Sequence, residues 1–318
     1  MSPRAATAWP PDRAGHQKGL GSVASMNEYA GAAGLIERSA AAFSRAIPDS
    51  PGEGYFGPRS VAWRVSGDLS SPVSGLRALL IQALHPLAMA GVDQHSDWRS
   101  DPVGRLAATS AYLATVYYGE RAAADRVAAR VRRIHERVTG VDPETGQPYA
   151  ASDPGLLLWV HAALVDSGIA GCALFGDELS PADADDYVEE MTAAAVIVGI
   201  PAHLVPSTAG GLTRYLESMR PELRVSAAAR ESMAYLLDPP GLDEEVAEIW
   251  QDIREAAVVS LPVWARELYG YEAPALTAMR RNEIRQALGV LDAVYLGEPG
   301  VLEARQRILL RSRAAQNA

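Results

Sequence analysis

Three side chains with ligand or acid–base chemistry, Arg105, Thr109 and His135, lie in stretches that otherwise read as Ala-rich helix. Arg105 and Thr109 are one helical turn apart, and their face continues at Tyr112 and Val116. The next predicted helix, residues 120–138, has an inward stripe of Val127, Val131, Ile134, His135 and Val138. An imidazole among aliphatic side chains would thus face the same interior as the arginine and the threonine. We predict that this interior holds a planar iron cofactor.

The sequence has six histidines, and their positions separate the candidates from the rest. His16 lies in a predicted tail and His203 follows Pro201 in a predicted loop, so neither is a candidate. The other four lie in or beside apolar helices: His85, His95, His135 and His161. Each of them could be a core histidine that bonds a backbone carbonyl or a carboxylate. Four together favour a cofactor site.

Motif spacing narrows the kind of metal site. H-E-x-x-H is absent, and no histidine has a glutamate three residues before it, so zincin and ferritin-like di-iron sites are excluded. Structural zinc lacks its thiolates, because Cys172 is the one cysteine. The absence of C-x-x-C-H excludes covalent c-type haem. A non-covalent haem needs one imidazole, an apolar slot and cations for its propionates, which this sequence can supply.

Arg105 and Thr109 leave two interpretations open. They could be a surface ion-pairing group and a hydroxyl bonded back to its own helix. If Arg105 faces inward it must be paired, because an unpaired buried guanidinium is unfavourable, and a haem propionate or a polar oxygen site would pair it. Hydrolase and nicotinamide chemistry fit less well, since G-x-S-x-G is absent and the G-x-G runs lack a βαβ context.

Composition limits the class of protein. The 318 residues are 48% apolar and 21% charged, which is typical of a globular chain with a substantial core. The net charge of −10 argues against a general nucleic-acid binder. A single cysteine fits a reducing compartment, and neither a secretory signal nor an uncharged apolar run of membrane-spanning length is visible. We therefore expect a cytoplasmic protein without a membrane span.

The elements that must position these side chains are predicted to be helices throughout. Residues 1–25 read as a flexible N-terminal tail, and residues 26–318 as one helical, haem-binding domain. A helix over 74–90 is expected to kink at Pro86, and Gly140 to end the His135 helix. The turn-rich residues 141–149 are predicted to be a loop, because no alternating strand pattern is present. Further helices are predicted over 27–47, 154–175, 181–198, 207–219, 226–237, 243–259 and 275–296.

An ordered set of short motifs resembles the rubber oxygenase (latex-clearing protein) and MpaB-type family over roughly residues 55–270. The motifs are Val61-Ala62-Trp63-Arg64-Val65, Arg77 through Gln82-Ala83-Leu84-His85-Pro86, His95-Ser96, Asp101-Pro102, Arg105-x-x-x-Thr109, Arg132-x-x-His135-x-x-Val138-x-Gly140 and Leu158-Trp159-Val160-His161-Ala162. The resemblance implies an all-α, globin-related fold that binds haem b non-covalently. It also implies dioxygen as co-substrate in chemistry on hydrophobic substrates.

Carried over by motif, the resemblance makes His135 the proximal iron ligand and places Arg105 and Thr109 at the haem or its distal face as catalytic groups. His85 and His161 would help bind the cofactor. The rubber-cleaving branch has a basic residue where Ala108 stands here, so a small hydrophobic substrate is expected in place of polyisoprene. The hypothesis is a haem b-dependent oxygenase; the alternatives are a non-catalytic helical protein that binds haem or an apolar ligand, and a haem-free protein with structural histidines. A homodimer is compatible with the sequence.

Overall fold

The fold is taken from a computed structural model of the chain. It describes residues 53–240, 244–272 and 274–297, with the isolated residues 7, 8, 41, 44, 242, 301, 303, 304, 306 and 307. The predicted tail over 1–25 and the predicted helix over 27–47 lie outside the described residues, apart from four of those isolated positions.

Helices are the main secondary structure of the described chain. They are α1 Val61–Ser66, α2 Ser71–Gln82, α3 Pro86–His95, α4 Pro102–Tyr118, α5 Arg121–His135, α6 Pro154–Phe175, α7 Pro181–Glu190, α8 Thr192–Val198, α9 Ala209–Met219, α10 Ala227–Leu237, α11 Glu244–Ser260, α12 Val263–Tyr269 and α13 Ala278–Gly297. Short 3-10 turns span Ala202–Leu204 and Arg220–Glu222, and the strands are β1 Thr7–Ala8, β2 Thr139–Val141, β3 Pro148–Ala150 and β4 Tyr271–Glu272. The prediction of an all-α fold is confirmed.

The long apolar helix α6 is the centre of the core. Its start is fixed by Asp153, whose carboxylate accepts from the backbone N–H groups of Gly155 and Leu156 at 2.8 and 3.2 Å. It packs along α2, where the fully buried Trp159 donates to the carbonyl of Gln82 at 3.0 Å. By length and hydropathy α6 could cross a membrane, but 67% of that stretch is buried inside the fold, as in a core helix.

A buried charge ties three helices of this core together. The guanidinium of Arg77 on α2 reaches the carboxylate of Asp166 on α6 at 2.7 Å, and the Ser167 hydroxyl at 2.7 Å. Its Nε donates to the carbonyl of Ser260 at the end of α11, at 3.0 Å. A buried guanidinium is tolerated only when its donors are paired, so these contacts fix the mutual positions of α2, α6 and α11.

The predicted helix over 74–90 is two helices, α2 and α3, which meet at 103°. His85 lies at the bend with extended backbone angles, φ −84° and ψ 114°. The ring of Pro86 disfavours helical angles at the residue before it, so the chain turns sharply where a kink was expected. The predicted helix over 181–198 is likewise divided, into α7 and α8 at Met191.

Two predictions about the end of the His135 helix are wrong. The helix ends at His135, and residues 139–150 form a β-hairpin where a loop was predicted. Gly140 lies in β2, where an added Cβ would come within 2.6 Å of the Tyr149 hydroxyl and 2.8 Å of Gln94 Oε1. The glycine therefore permits the close approach of an aromatic ring. In the sequence alone, a glycine at this position cannot be distinguished from one that ends a helix. The two-residue parallel pairing of β1 with β4 was not predicted either.

Candidate functional site

Arg105 and His135 lie at the same end of an antiparallel helical hairpin. Helices α4 and α5 pack against each other and are joined by the two residues Gly119 and Glu120. Arg105 lies fourteen residues before Gly119, and His135 lies fifteen residues after Glu120. Because both helices rise equally per residue, the two residues are about equally far along their helices from the connection.

The Arg105 guanidinium is half-buried and has no carboxylate partner among the described residues. One of its nitrogens donates to the hydroxyl of Ser96. Burial lowers the pKa of Arg105, although the group remains charged at physiological pH. Its positive charge is thus partly desolvated and uncompensated, which is unfavourable unless an anion binds beside it.

Thr109 does not share the buried face of α4. Its side chain is exposed, and its hydroxyl donates to the carbonyl of Arg105 at 3.1 Å. The structure therefore matches the interpretation in which the hydroxyl bonds back to its own helix, and the expected common inward face is not seen at this position. The inward side of α4 continues instead at Tyr112 and at the buried Val116. The catalytic role of Thr109 stays a prediction.

His135 lies on the buried side of α5, in line with Ala124 and Ala128. Its Nδ1 is buried without a hydrogen-bond partner among the described residues. Burial lowers the pKa of the imidazole, which keeps the ring neutral at physiological pH with a lone pair free to bind a metal. Ile134 was expected on the same stripe but is exposed, because the buried side of this helix is narrow and made of small residues.

His161 is a second buried imidazole, in the second turn of α6. Burial lowers its pKa to about 4, and no hydrogen bond joins its ring to another described residue. Leu157, one turn earlier on the same face, lies 3.8 Å from the position of a Cβ added at Gly199. On the other side of Gly199 is the Arg132 side chain, at 3.5 Å. The C-terminal end of α8 is therefore flanked by the helix of His135 and by the helix of His161.

Sequence reasoning missed the contacts that hold this region together. Arg132 donates to the carbonyl of Ile197 at the end of α8. Burial raises the pKa of the Tyr112 hydroxyl on α4 to about 12, against the opposing effect of the Arg132 charge. Arg132 therefore links α4, α5 and α8. The predicted helix end at residue 198 is confirmed, because Gly199, with φ +114°, ends α8.

His85 and His95 lie elsewhere. His85 is buried beside Trp159, with 6.1 Å between ring centroids, and its Nε2 is 3.8 Å from the carboxylate of Glu222. Because Trp159 and His161 are two residues apart on α6, about 200° around the helix, His85 is on the opposite side of α6 from His161. Burial lowers the pKa of His85. The exposed His95 donates to the carbonyl of Thr139 at 3.1 Å and so attaches α3 to the hairpin.

Two clefts of the described surface are lined by other residues. One of about 560 Å³ lies between α9 and α12, and one of about 210 Å³ lies between α3, the hairpin turn and α10. Neither is lined by Arg105, His135 or His161. Among the described residues, no three His, Cys, Asp or Glu side chains are grouped as metal ligands. Haem iron requires only an axial imidazole from the protein, because the porphyrin supplies the equatorial ligands.

The family of the chain follows from comparison with known proteins. No curated protein and no solved structure gives a significant match, and the expected relation to globins stays a prediction. Residues 63–293 match the family described as ER-bound oxygenase mpaB/B'/Rubber oxygenase, catalytic domain. The match covers well over half of the 318 residues and includes every candidate side chain from His85 to His161. The chain therefore belongs to this family of oxygenase catalytic domains.

Proposed function

We propose that this protein is a haem b-dependent oxygenase that acts on a small hydrophobic molecule with dioxygen as co-substrate. The observation that carries the proposal is the half-buried, neutral imidazole of His135, whose Nδ1 has no partner among the described residues, in a helical hairpin that also carries Arg105, a cation without a carboxylate partner in the described part of the chain. An unpaired lone pair and an unpaired cation are together what an iron porphyrin with anionic propionates would satisfy. In the type of donor they offer, the residues present therefore fit the group.

In this proposal His135 binds the iron, and Arg105 pairs with an anionic group of the cofactor or keeps the oxygen side polar. The low pKa of His135 keeps its ring deprotonated, as an iron ligand must be. When bound, haem supplies the iron at which dioxygen is held and activated. His161, which is neutral above about pH 4, is placed to donate or accept one hydrogen bond in the same region. Aliphatic neighbours such as Leu157 and Ile200 exclude water there and favour an apolar substrate.

The first experiment is a set of absorption spectra of protein expressed with a haem supply. The wild-type protein is expected to show a Soret band, and His135→Ala to lose it. His95→Ala is the matched control, because that histidine is exposed and bonds only the hairpin carbonyl of Thr139. If His135→Ala keeps its full haem content while His161→Ala or His85→Ala loses it, the ligand assignment is wrong.

The second experiment separates an oxygenase from a non-catalytic haem carrier. Oxygen consumption by the reduced protein is measured with a panel of apolar substrates, and products are identified after incubation with ¹⁸O₂. Labelled product supports the oxygenase. Haem binding without oxygen uptake on any substrate would favour the carrier, and a colourless protein that refuses added haemin would favour the haem-free alternative.

A further inference from the structure

Helix α5 has a second face, opposite the one that carries His135. Its buried side is formed by the fully buried Ala124 and Ala128. Arg126, Arg130 and Arg133 are spaced at i, i+4 and i+7, and all three are exposed. At about 100° per residue, their stripe lies on the far side of the helix from the alanines. Together with Arg137, which is exposed in the turn after α5, they form what we call the arginine stripe.

The arginine stripe has no ion-pair partner among the residues that the structure describes. None of its four guanidinium groups forms an ion pair or a side-chain hydrogen bond with a described residue. Some other exposed arginines are ion-paired, as Arg99 is with Asp93 and Glu231 at 2.7 and 2.8 Å. The chain as a whole carries a net charge of −10, so this helix face has the opposite sign of charge to the molecule as a whole. Such an asymmetry orients the molecule toward an anionic surface.

Large aliphatic side chains are exposed on α5 and on two elements that adjoin it in the fold or the sequence. Ile134, next to Arg133, is 50% exposed, and Val141 in β2, shortly after the end of α5, is 54% exposed. Val196 is 45% exposed on α8, which packs against α5. A nucleic-acid site would need the cations but not the exposed aliphatic side chains. Arginines with an exposed aliphatic side chain beside them, here Ile134, are instead the combination that suits a bilayer interface, where guanidinium groups bind phosphates and aliphatic groups enter the acyl boundary.

We propose that the arginine stripe and its aliphatic neighbours are a docking surface for an anionic lipid bilayer. Helix α5 would lie along the headgroups, with Arg126, Arg130, Arg133 and Arg137 on lipid phosphates and Ile134 at the acyl boundary. The acidic remainder of the molecule would be turned away from the membrane. The inference does not depend on the haem assignment. If both hold, the face of α5 opposite the membrane is the one that carries His135.

The test is vesicle co-sedimentation with the full-length protein. Partition is measured on phosphatidylcholine vesicles with and without about one third phosphatidylglycerol, at about 0.01 and 0.15 M ionic strength, over which the Debye length falls from about 30 to 8 Å. The wild-type protein is expected to bind the anionic vesicles only, and less at the higher salt. An arginine near such a surface contributes a factor of about five, so the triple variant R126Q/R130Q/R133Q should bind about 100-fold less. Ile134→Ser should reduce binding severalfold.

The matched control removes the same three charges from other places. R59Q/R214Q/R281Q changes exposed arginines that also lack described ion-pair partners, and it should keep or slightly weaken vesicle binding. Circular dichroism verifies that both triple variants are folded. Equal loss in the two triple variants would overturn the proposal, because net charge alone would then explain binding. Equal binding to neutral and anionic vesicles would also overturn it. So would binding to single-stranded RNA that is tighter than binding to anionic vesicles and that is lost in R126Q/R130Q/R133Q.

Discussion

The guanidinium of Arg77 and the carboxylate of Asp166 form an ion pair of 2.7 Å in the core, between helices α2 and α6. The Ser167 hydroxyl and the Ser260 carbonyl take two further donors of the guanidinium, so removal of Asp166 leaves a buried cation without its counter-charge. The core that carries His161 is therefore anchored by an electrostatic contact about one and a half turns further along the same helix.

Asp166→Ala is expected to lower the free energy of unfolding by about 3 kcal/mol, because a buried charge loses its partner. Urea denaturation monitored by circular dichroism measures the change. Asp186→Ala removes an exposed carboxylate of α7 and should change the stability by no more than about 0.5 kcal/mol. Equal effects of the two substitutions would contradict a structural role for the Arg77 pair.

Arg105→Met is expected to separate stability from cofactor binding. In the haem-free protein the substitution removes a partly desolvated, uncompensated charge, so stability should stay the same or rise by about 1 kcal/mol. Haem affinity should fall by about tenfold or more, because one hydrogen-bonded anion contact is lost. Haemin titration and urea denaturation of the same variant give both quantities. A variant that loses stability and keeps its haem affinity would assign Arg105 to the fold alone.

Thr109→Val is the companion substitution on the same helix. The hydroxyl is exposed and bonds only the carbonyl of Arg105, so its loss should change stability by less than about 0.5 kcal/mol and leave haem affinity unaltered. A large loss of oxygen consumption in this variant, with the Soret band intact, would restore the catalytic role that the sequence predicts for Thr109.

His161 should make the haem-free protein less stable in mild acid. Its pKa is lowered by burial from 6.5 to about 4 in the folded protein, whereas the unfolded chain has the ordinary value. Between these values the unfolded state binds a proton that the folded state does not, so stability falls as the pH falls. The contribution lost between about pH 7 and pH 5 is about 2 kcal/mol.

The measurement is urea denaturation of the wild-type protein, of His161→Gln and of His203→Gln at both pH values. The difference in stability between the two pH values should shrink by about 2 kcal/mol in His161→Gln and stay unchanged in His203→Gln, where the histidine is exposed. An identical pH dependence in all three proteins would show that His161 is solvated in the folded state.

Gly140→Ala should destabilise the β-hairpin. An added methyl group would lie 2.6 Å from the Tyr149 hydroxyl and 2.8 Å from Gln94 Oε1, so the ring and the amide must move, which costs about 1–3 kcal/mol. Gly289→Ala in α13 is the control, because nothing lies within 4 Å of its added Cβ, and it should stabilise the protein by about 0.5–1 kcal/mol. Thermal unfolding of the two variants should therefore shift in opposite directions.

The sequence by itself determined the properties that depend on short-range order. Apolar periodicity and capping residues such as Asp153 predicted the helices, and the ordered motifs predicted the oxygenase family that residues 63–293 match. Helical spacing predicted an inward position for His135, and its ring is half-buried, although the buried residues in line with it are Ala124 and Ala128 and not the predicted Ile134.

Only the tertiary structure decided which face meets which neighbour. Periodicity could not show that Thr109 and Ile134 are exposed, or that His85 lies across α6 from His161, because these depend on where distant helices pack. Gly140 was predicted to end a helix. In the structure a side chain at this position is excluded by the ring of Tyr149, which lies on the other strand of the hairpin. The arginine stripe is visible in the sequence as a charged helix face. That none of its cations is ion-paired with a described residue became evident only when the surrounding carboxylates had positions in space.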